Sequence, residues 1–187
     1  MNTLTAISLF SSGGIGDLAV RAAGLETLVA NEILHDRCEV FKKNYPNATM
    51  IEGDINDKFE EIIDITKKKL AGRNLDFVLA TPPCQGMSSN GMGKLLNGIR
   101  RGKKSPWDVR NQLIIPTLDI ITQLHPMHVC FENVPGMEKT IIPLSDGRLV
   151  NIIDYIQERL GVEYVGRIVI YNSNFLKDSL IFLFLIL

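Results

Sequence analysis

The chain has 187 residues, 45% hydrophobic and 22% charged, with a formal net charge of −1, so it suits one ordinary domain and excludes a free-standing, broadly basic nucleic-acid-binding module. Three cysteines at no metal-ligand spacing, Cys38, Cys84 and Cys130, exclude a disulfide framework or a zinc site and point to a reducing, cytoplasmic setting. Residues 1–10 lack the basic start of a secretion signal. The apolar run 180–187 is shorter than the about 20 residues of a membrane span, so no membrane association is expected.

Period and punctuation then predict elements in chain order. A strand near 4–10 is followed by a helix near 15–24 that closes at Gly24, and a strand near 27–31 by a helix near 34–44. Next come a strand near 48–52 and a helix at 57–70, then a strand at 75–80. A helix at 108–124 ends before Pro126, and a strand at 127–131 and a helix at 149–160 follow. Alternation of this kind predicts an α/β fold, a mostly parallel sheet with helices on both faces, whose ligands gather at the carboxyl ends of the strands. The segments 164–171 and 180–187 read as further strands, the last of them an exposed edge beside 164–171. Only one domain is visible, with no internal repeat.

Chemistry-bearing residues follow the strands. After the first comes Phe10-Ser11-Ser12-Gly13-Gly14-Ile15-Gly16, a turn tight enough for the backbone to approach a ligand where a helix begins. Strands two and three end in Glu32 and in Asp54-Ile55, two carboxylates on one rim, suited to a ribose diol and an adenine amine. Each acid taken singly reads equally well as a surface group or helix cap. Together with the glycine turn they predict a nucleotide-like cofactor, and Gly14-Ile15-Gly16-Asp17-Leu18-Ala19 also fits a dinucleotide fingerprint.

After strand four stands Thr81-Pro82-Pro83-Cys84-Gln85-Gly86-Met87-Ser88, where two prolines stiffen the backbone and Cys84 sits in polar company. Cys38 and Cys130 read as buried hydrophobes; Cys84 reads as a nucleophile needing exposure and help in forming a thiolate. An unperturbed thiol, with pKa about 8.5, is only a few per cent ionised at neutral pH. Strand five ends in Phe131-Glu132-Asn133-Val134, and an acid between apolar neighbours is expected to be partly desolvated and to keep its proton nearer neutrality.

The order of these motifs, with Asp108-Val109-Arg110-Asn111-Gln112-Leu113 before the Glu132-Asn133-Val134 strand end, resembles the cytosine-5 DNA methyltransferase family over residues 4–140. The resemblance implies a Rossmann-like S-adenosylmethionine-dependent fold, incomplete at its C-terminal end, with S-adenosylmethionine as cofactor and double-stranded DNA, its cytosine flipped out, as partner. It implies that Phe10, Gly14, Glu32, Asp54, Ile55, Pro82 and Leu113 line the cofactor site. It further implies that Cys84 attacks C6 of the base, that Glu132 holds N3 and the exocyclic amine, and that Pro83, Gln85, Ser88, Arg110 and Asn133 meet the substrate. Lys94, Arg100, Arg101, Lys103 and Lys104 can then meet phosphates, or form a merely solvated basic loop.

The chain departs from that family in two places. Ser12 stands where the family's first turn glycine is expected, and nothing after 164–171 resembles the family's arginine strand, target recognition domain or closing helix. The expected activity is therefore cytosine-5 methylation of a restriction-modification type, impaired alone or completed by a subunit that carries the recognition domain. Alternatives are an inactive or regulatory fragment, an RNA-methylating relative and a nicotinamide-dependent oxidoreductase. Methyltransferases acting on exocyclic amines place an aromatic residue where Cys84 stands.

Overall fold

The computed structural model describes residues 3–84, 87, 108–172 and 179–186. The first strand, β1 (Leu4–Leu9), leads into α1 (Ile15–Ala22), β2 (Leu25–Glu32) into α2 (His35–Asn44), and β3 (Thr49–Glu52) into α3 (Ile55–Leu70). β4 (Phe77–Ala80) is the centre of the sheet. Beyond a 3-10 turn at Val109–Leu113 come α4 (Ile114–Leu124) and β5 (His128–Asn133). A two-stranded hairpin, β6 (Ile141–Pro143) with β7 (Leu149–Asn151), precedes α5 (Ile152–Leu160), and β8 (Val165–Asn172) and β9 (Ser179–Ile186) end the described chain.

The seven-stranded sheet runs β3-β2-β1-β4-β5-β9-β8, with β1 to β5 mutually parallel and β9 antiparallel to both its neighbours. The α/β expectation holds. Parallel pairing brings the ends of β1, β2, β4 and β5 to one rim, which is why residues 10–12, 31–34, 81–84 and 132–134 meet in space.

One expectation is corrected: the apolar tail is not an edge strand. β9 lies between β5 and β8, Cys130 pairing with Phe184 on one side and Arg167 with Phe184 on the other, and β8 forms the edge. A continuous apolar run suits an interior strand, whereas alternation with polar residues suits an edge. The helix expected over 108–124 is also divided. Asp108 caps the 3-10 turn by accepting from the Arg110 N–H, and the α-helix proper starts at Ile114, where Pro116 falls in a first turn that needs no N–H partner. Residues 149–151, expected to be helical, pair as β7 instead, and Asn151 caps α5 by accepting from the N–H groups of Ile153 and Asp154.

Successive β1 side chains serve two cores. Ile7 and Leu9 join Ile62 of α3, Leu118 and Ile121 of α4 and Ile156 of α5 in the larger cluster, while Ala6 joins Val20 of α1, Leu79 and Cys130 in a small one. Each large side chain buried in the first cluster contributes roughly 1.5–3 kcal/mol. α1 is bolted down by a buried polar group: Asp17, 1% exposed, accepts from Ser8 Oγ at 2.9 Å and Thr27 Oγ1 at 2.7 Å. Burial pushes its carboxyl above the usual range.

Candidate active site

A cleft of about 480 Å³ opens on the rim. Its first wall is the turn after β1, where Phe10 and Ser12 both take positive φ, 60° and 51°, in the left-handed region that glycine enters at no cost. Ser12 thus adopts the backbone conformation of the glycine expected there. The strain is tied down from two sides. The Ser12 N–H donates to Glu32 Oε2 at 2.9 Å, and Thr81 Oγ1 donates to the Phe10 carbonyl at 3.0 Å.

Glu32, 5% exposed, ends β2 with its carboxylate facing the cleft. Besides Ser12, it accepts from the backbone N–H groups of Ile33 at 2.8 Å and Leu34 at 2.9 Å, both through Oε1, and the Arg37 guanidinium stands 3.9 Å from Oε2. An ionised carboxylate has about four acceptor sites, so Glu32 both builds the turn and keeps capacity on Oε2 for a ligand hydroxyl. Asp54 combines two readings in the same way: it caps α3, accepting from Asn56 N at 2.9 Å and Asn56 Nδ2 at 2.8 Å, and it lines the cleft with Ile55. Beneath them Asn31 Nδ2 donates to the carbonyls of Ile51 and Gly53 at 2.9 and 3.1 Å, locking β2 to the end of β3.

The opposite wall carries the cysteine. Pro82, Pro83 and half-buried Cys84 lie beside Glu132, Asn133 and Val134 of the β5 end, with Arg110 and Leu113 closing the side. Asn133, 2% exposed, donates from Nδ2 to the Pro82 carbonyl at 3.0 Å and accepts the Val134 N–H at 2.8 Å, so the two strand ends are stapled where Cys84 emerges. The Cys84 carbonyl accepts the Met87 N–H at 2.9 Å, and Met87 is buried under Gly136, where a Cβ would collide with the Met87 carbonyl oxygen. Burial alone raises the Glu132 carboxyl above its ordinary range. The Arg110 guanidinium is held by Asp108 through Nε at 2.8 Å and Nη2 at 2.5 Å, on the cleft that Cys84 also lines. Cys38 and Cys130 are buried, their thiols pushed up to about 11 and about 12.

Of the residues singled out from sequence, Phe10, Glu32, Asp54, Ile55, Pro82, Leu113, Pro83, Cys84, Arg110, Glu132 and Asn133 share this cleft. Gly14 does not line it; it packs instead against Tyr45 and Phe41. Gln85, Ser88 and the basic residues Lys94, Arg100, Arg101, Lys103 and Lys104 lie outside the described residues. Asn31, Ile33, Arg37 and Thr81 join the wall without having been foreseen, although three of them adjoin Glu32 or Pro82 in the chain. Among the described residues no group of three or more His, Cys, Asp or Glu is placed to hold a metal ion, and no helix is long and apolar enough to cross a membrane.

The model of the C-5 cytosine-specific DNA methylase family matches residues 4–175. The chain is 34% identical over 160 residues to the type II methyltransferase M1.HgaI of Avibacterium volantium, covering 84% of this chain and 42% of that one. It is 34% identical over 161 residues to the type II methyltransferase M.AquIA of a Picosynechococcus strain, covering 86% and 58%. The chain thus spans about half the length of the curated relatives it matches. The crystal structure of the S. pombe Dnmt2 methyltransferase superposes on all of it with a TM-score of 0.66 at 15% identity, over 50% of that chain, a likeness of fold. With the family's model matched along nearly the whole chain, this protein belongs to the C-5 cytosine-specific DNA methylase family.

Proposed function

We propose that the cleft binds S-adenosylmethionine beside a cytosine of DNA and that Cys84 is the nucleophile that activates this base for methylation at C5. The observation that carries the reading is the shared cleft, in which a satisfied carboxylate with spare acceptor capacity, Glu32, faces a half-buried cysteine and a desolvated acid, Glu132. The residues fit such a cofactor. Glu32 Oε2 has room for a ribose hydroxyl, Ile33, Ile55 and Leu113 offer apolar walls to a purine, and a volume of about 480 Å³ lies within the usual range for ligand sites. When bound, the cofactor supplies an electrophilic methyl group on a sulfonium.

The remaining steps belong to the chain. The Cys84 thiolate, in the cleft that Arg110 also lines, adds to C6 and sends electron density to C5. Glu132, whose carboxyl burial raises above its ordinary range, donates to N3 and makes C6 more electrophilic. After methylation the C5 proton passes to water, its bonding electrons restore the C5=C6 double bond as the C6–S bond breaks and returns the thiolate, and N3 gives its proton back to Glu132. The target carbon lies inside a duplex, so the base must be turned out at a cost of a few kcal/mol. We propose that contacts offsetting this cost, and the choice of DNA sequence in a restriction-modification setting, come from segments equivalent to the rest of the longer relatives, supplied in cis or by a complementary subunit.

Two measurements test the reading. Calorimetric titration is expected to give S-adenosylmethionine binding and none by NAD; NAD binding without a response to S-adenosylmethionine would sink it. Tritiated methyl transfer to unmethylated DNA, tried alone and with a complementary polypeptide, is expected to depend on Cys84.

A further inference from the structure

The turn that builds the cofactor wall is held from outside the cleft. Tyr45, at the C-terminal end of α2, donates from Oη to the Gly14 carbonyl at 2.7 Å. Its ring stacks on Phe41 with centroids 4.7 Å apart and carries the Arg21 guanidinium 5.4 Å above its face. Gly14 is fitted to that ring: it has φ 85°, and a Cβ there would collide with Tyr45. Asn44 Nδ2 reaches the neighbouring Gly13 carbonyl at 3.5 Å. Burial, helped by the Asp17 charge, keeps the phenol protonated and able to donate.

From Gly14 the connection runs into the cleft. The Gly14 N–H donates to the Ser11 carbonyl at 2.9 Å, and the Ser12 N–H donates to Glu32. Residues 10, 12 and 14 all carry positive φ, a combination that local preference does not hold by itself. We propose that Tyr45 is a positioning residue for cofactor binding, its hydroxyl holding the Gly14 carbonyl so that the turn presents Ser12 and Glu32 in their binding arrangement. The inference rests on the reading of the cleft as a cofactor site, and it explains Gly14 without placing it against the ligand.

The test is Tyr45→Phe in the full chain, which keeps the stack on Phe41 and removes only the hydroxyl. S-adenosylmethionine affinity by calorimetry is expected to weaken about three- to tenfold, the equivalent of one neutral hydrogen bond. Amide exchange at residues 12–14 is expected to accelerate while exchange in β4 and β5 stays unchanged, a pattern that general destabilisation does not produce. Alkylation of Cys84 should keep its wild-type rate. Unaltered affinity and unaltered exchange in the variant would overturn the inference and leave the cofactor reading intact. Failure of the wild-type chain to bind S-adenosylmethionine would overturn both.

Discussion

The two walls of the cleft are built by different physical means. The wall around Glu32 is a hydrogen-bonded framework: three backbone N–H groups converge on one carboxylate, and Asn31 and Thr81 lock the strand ends behind it. The wall around Cys84 owes its character to environment, with Glu132 desolvated, Arg110 held by Asp108 and Asn133 stapling two strand ends. A binding surface gains from groups whose geometry is set before the ligand arrives. A reactive surface gains from groups whose protonation is shifted, which burial and charge accomplish. Changes on the first wall should therefore appear mainly in affinity and stability, and changes on the second in rate and pH dependence.

Cys84→Ala separates the walls most sharply. Methyl transfer should fall on the order of 10⁴-fold or more, as removal of a covalent nucleophile does elsewhere, while S-adenosylmethionine binding measured by calorimetry stays near wild type. Labelling the wild-type chain with iodoacetamide at neutral pH should place Cys84 ahead of Cys38 and Cys130 by about 10²-fold or more, because the two buried thiols, pushed up to about 11 and about 12, hold little thiolate and meet little solvent. Faster labelling of either buried cysteine in the folded chain would remove Cys84 from its role.

Glu132→Gln should lower the rate about 10²- to 10⁴-fold, the usual range for a positioned acid, and should shift the alkaline limb of the pH–rate profile. Its effect on stability has a definite sign. A carboxyl raised by burial favours folding most below its ordinary value, and that contribution is lost as pH rises through the raised one. The thermal stability of wild type should therefore fall as pH rises over that window, and Glu132→Gln should flatten the fall, with Asp17 adding a shift of the same sign.

On the binding wall, Glu32→Ala leaves the N–H groups of Ser12, Ile33 and Leu34 without their acceptor. Cofactor affinity should weaken by about 1–3 kcal/mol, with a parallel loss in unfolding free energy by denaturant titration. The smallest effect is expected from Ser12→Gly, which keeps the N–H to Glu32 and releases a non-glycine residue from φ 51°. It should stabilise the fold by roughly 1 kcal/mol. A loss of stability would mean that the Ser12 hydroxyl contributes more than its backbone costs.

Much of this was legible in the amino-acid order. Period and punctuation located β1 to β5 and the helices between them, and a parallel sheet makes residues that follow strands neighbours, so Glu32, Cys84 and Glu132 could be assigned to one rim before any coordinate was known. Local chemistry also foretold the desolvated acid between Phe131 and Val134. What tertiary structure alone decided are relations between segments far apart in the chain. The insertion of β9 between β5 and β8, the Asn133 bond to Pro82 across 51 residues and the Tyr45 hold on Gly14 across 31 depend on which surfaces meet once the sheet has closed. Sequence periodicity records which face of an element is apolar; the partner of that face, and the loose end of each polar side chain, are chosen by packing and by the requirement that buried donors and acceptors find one another.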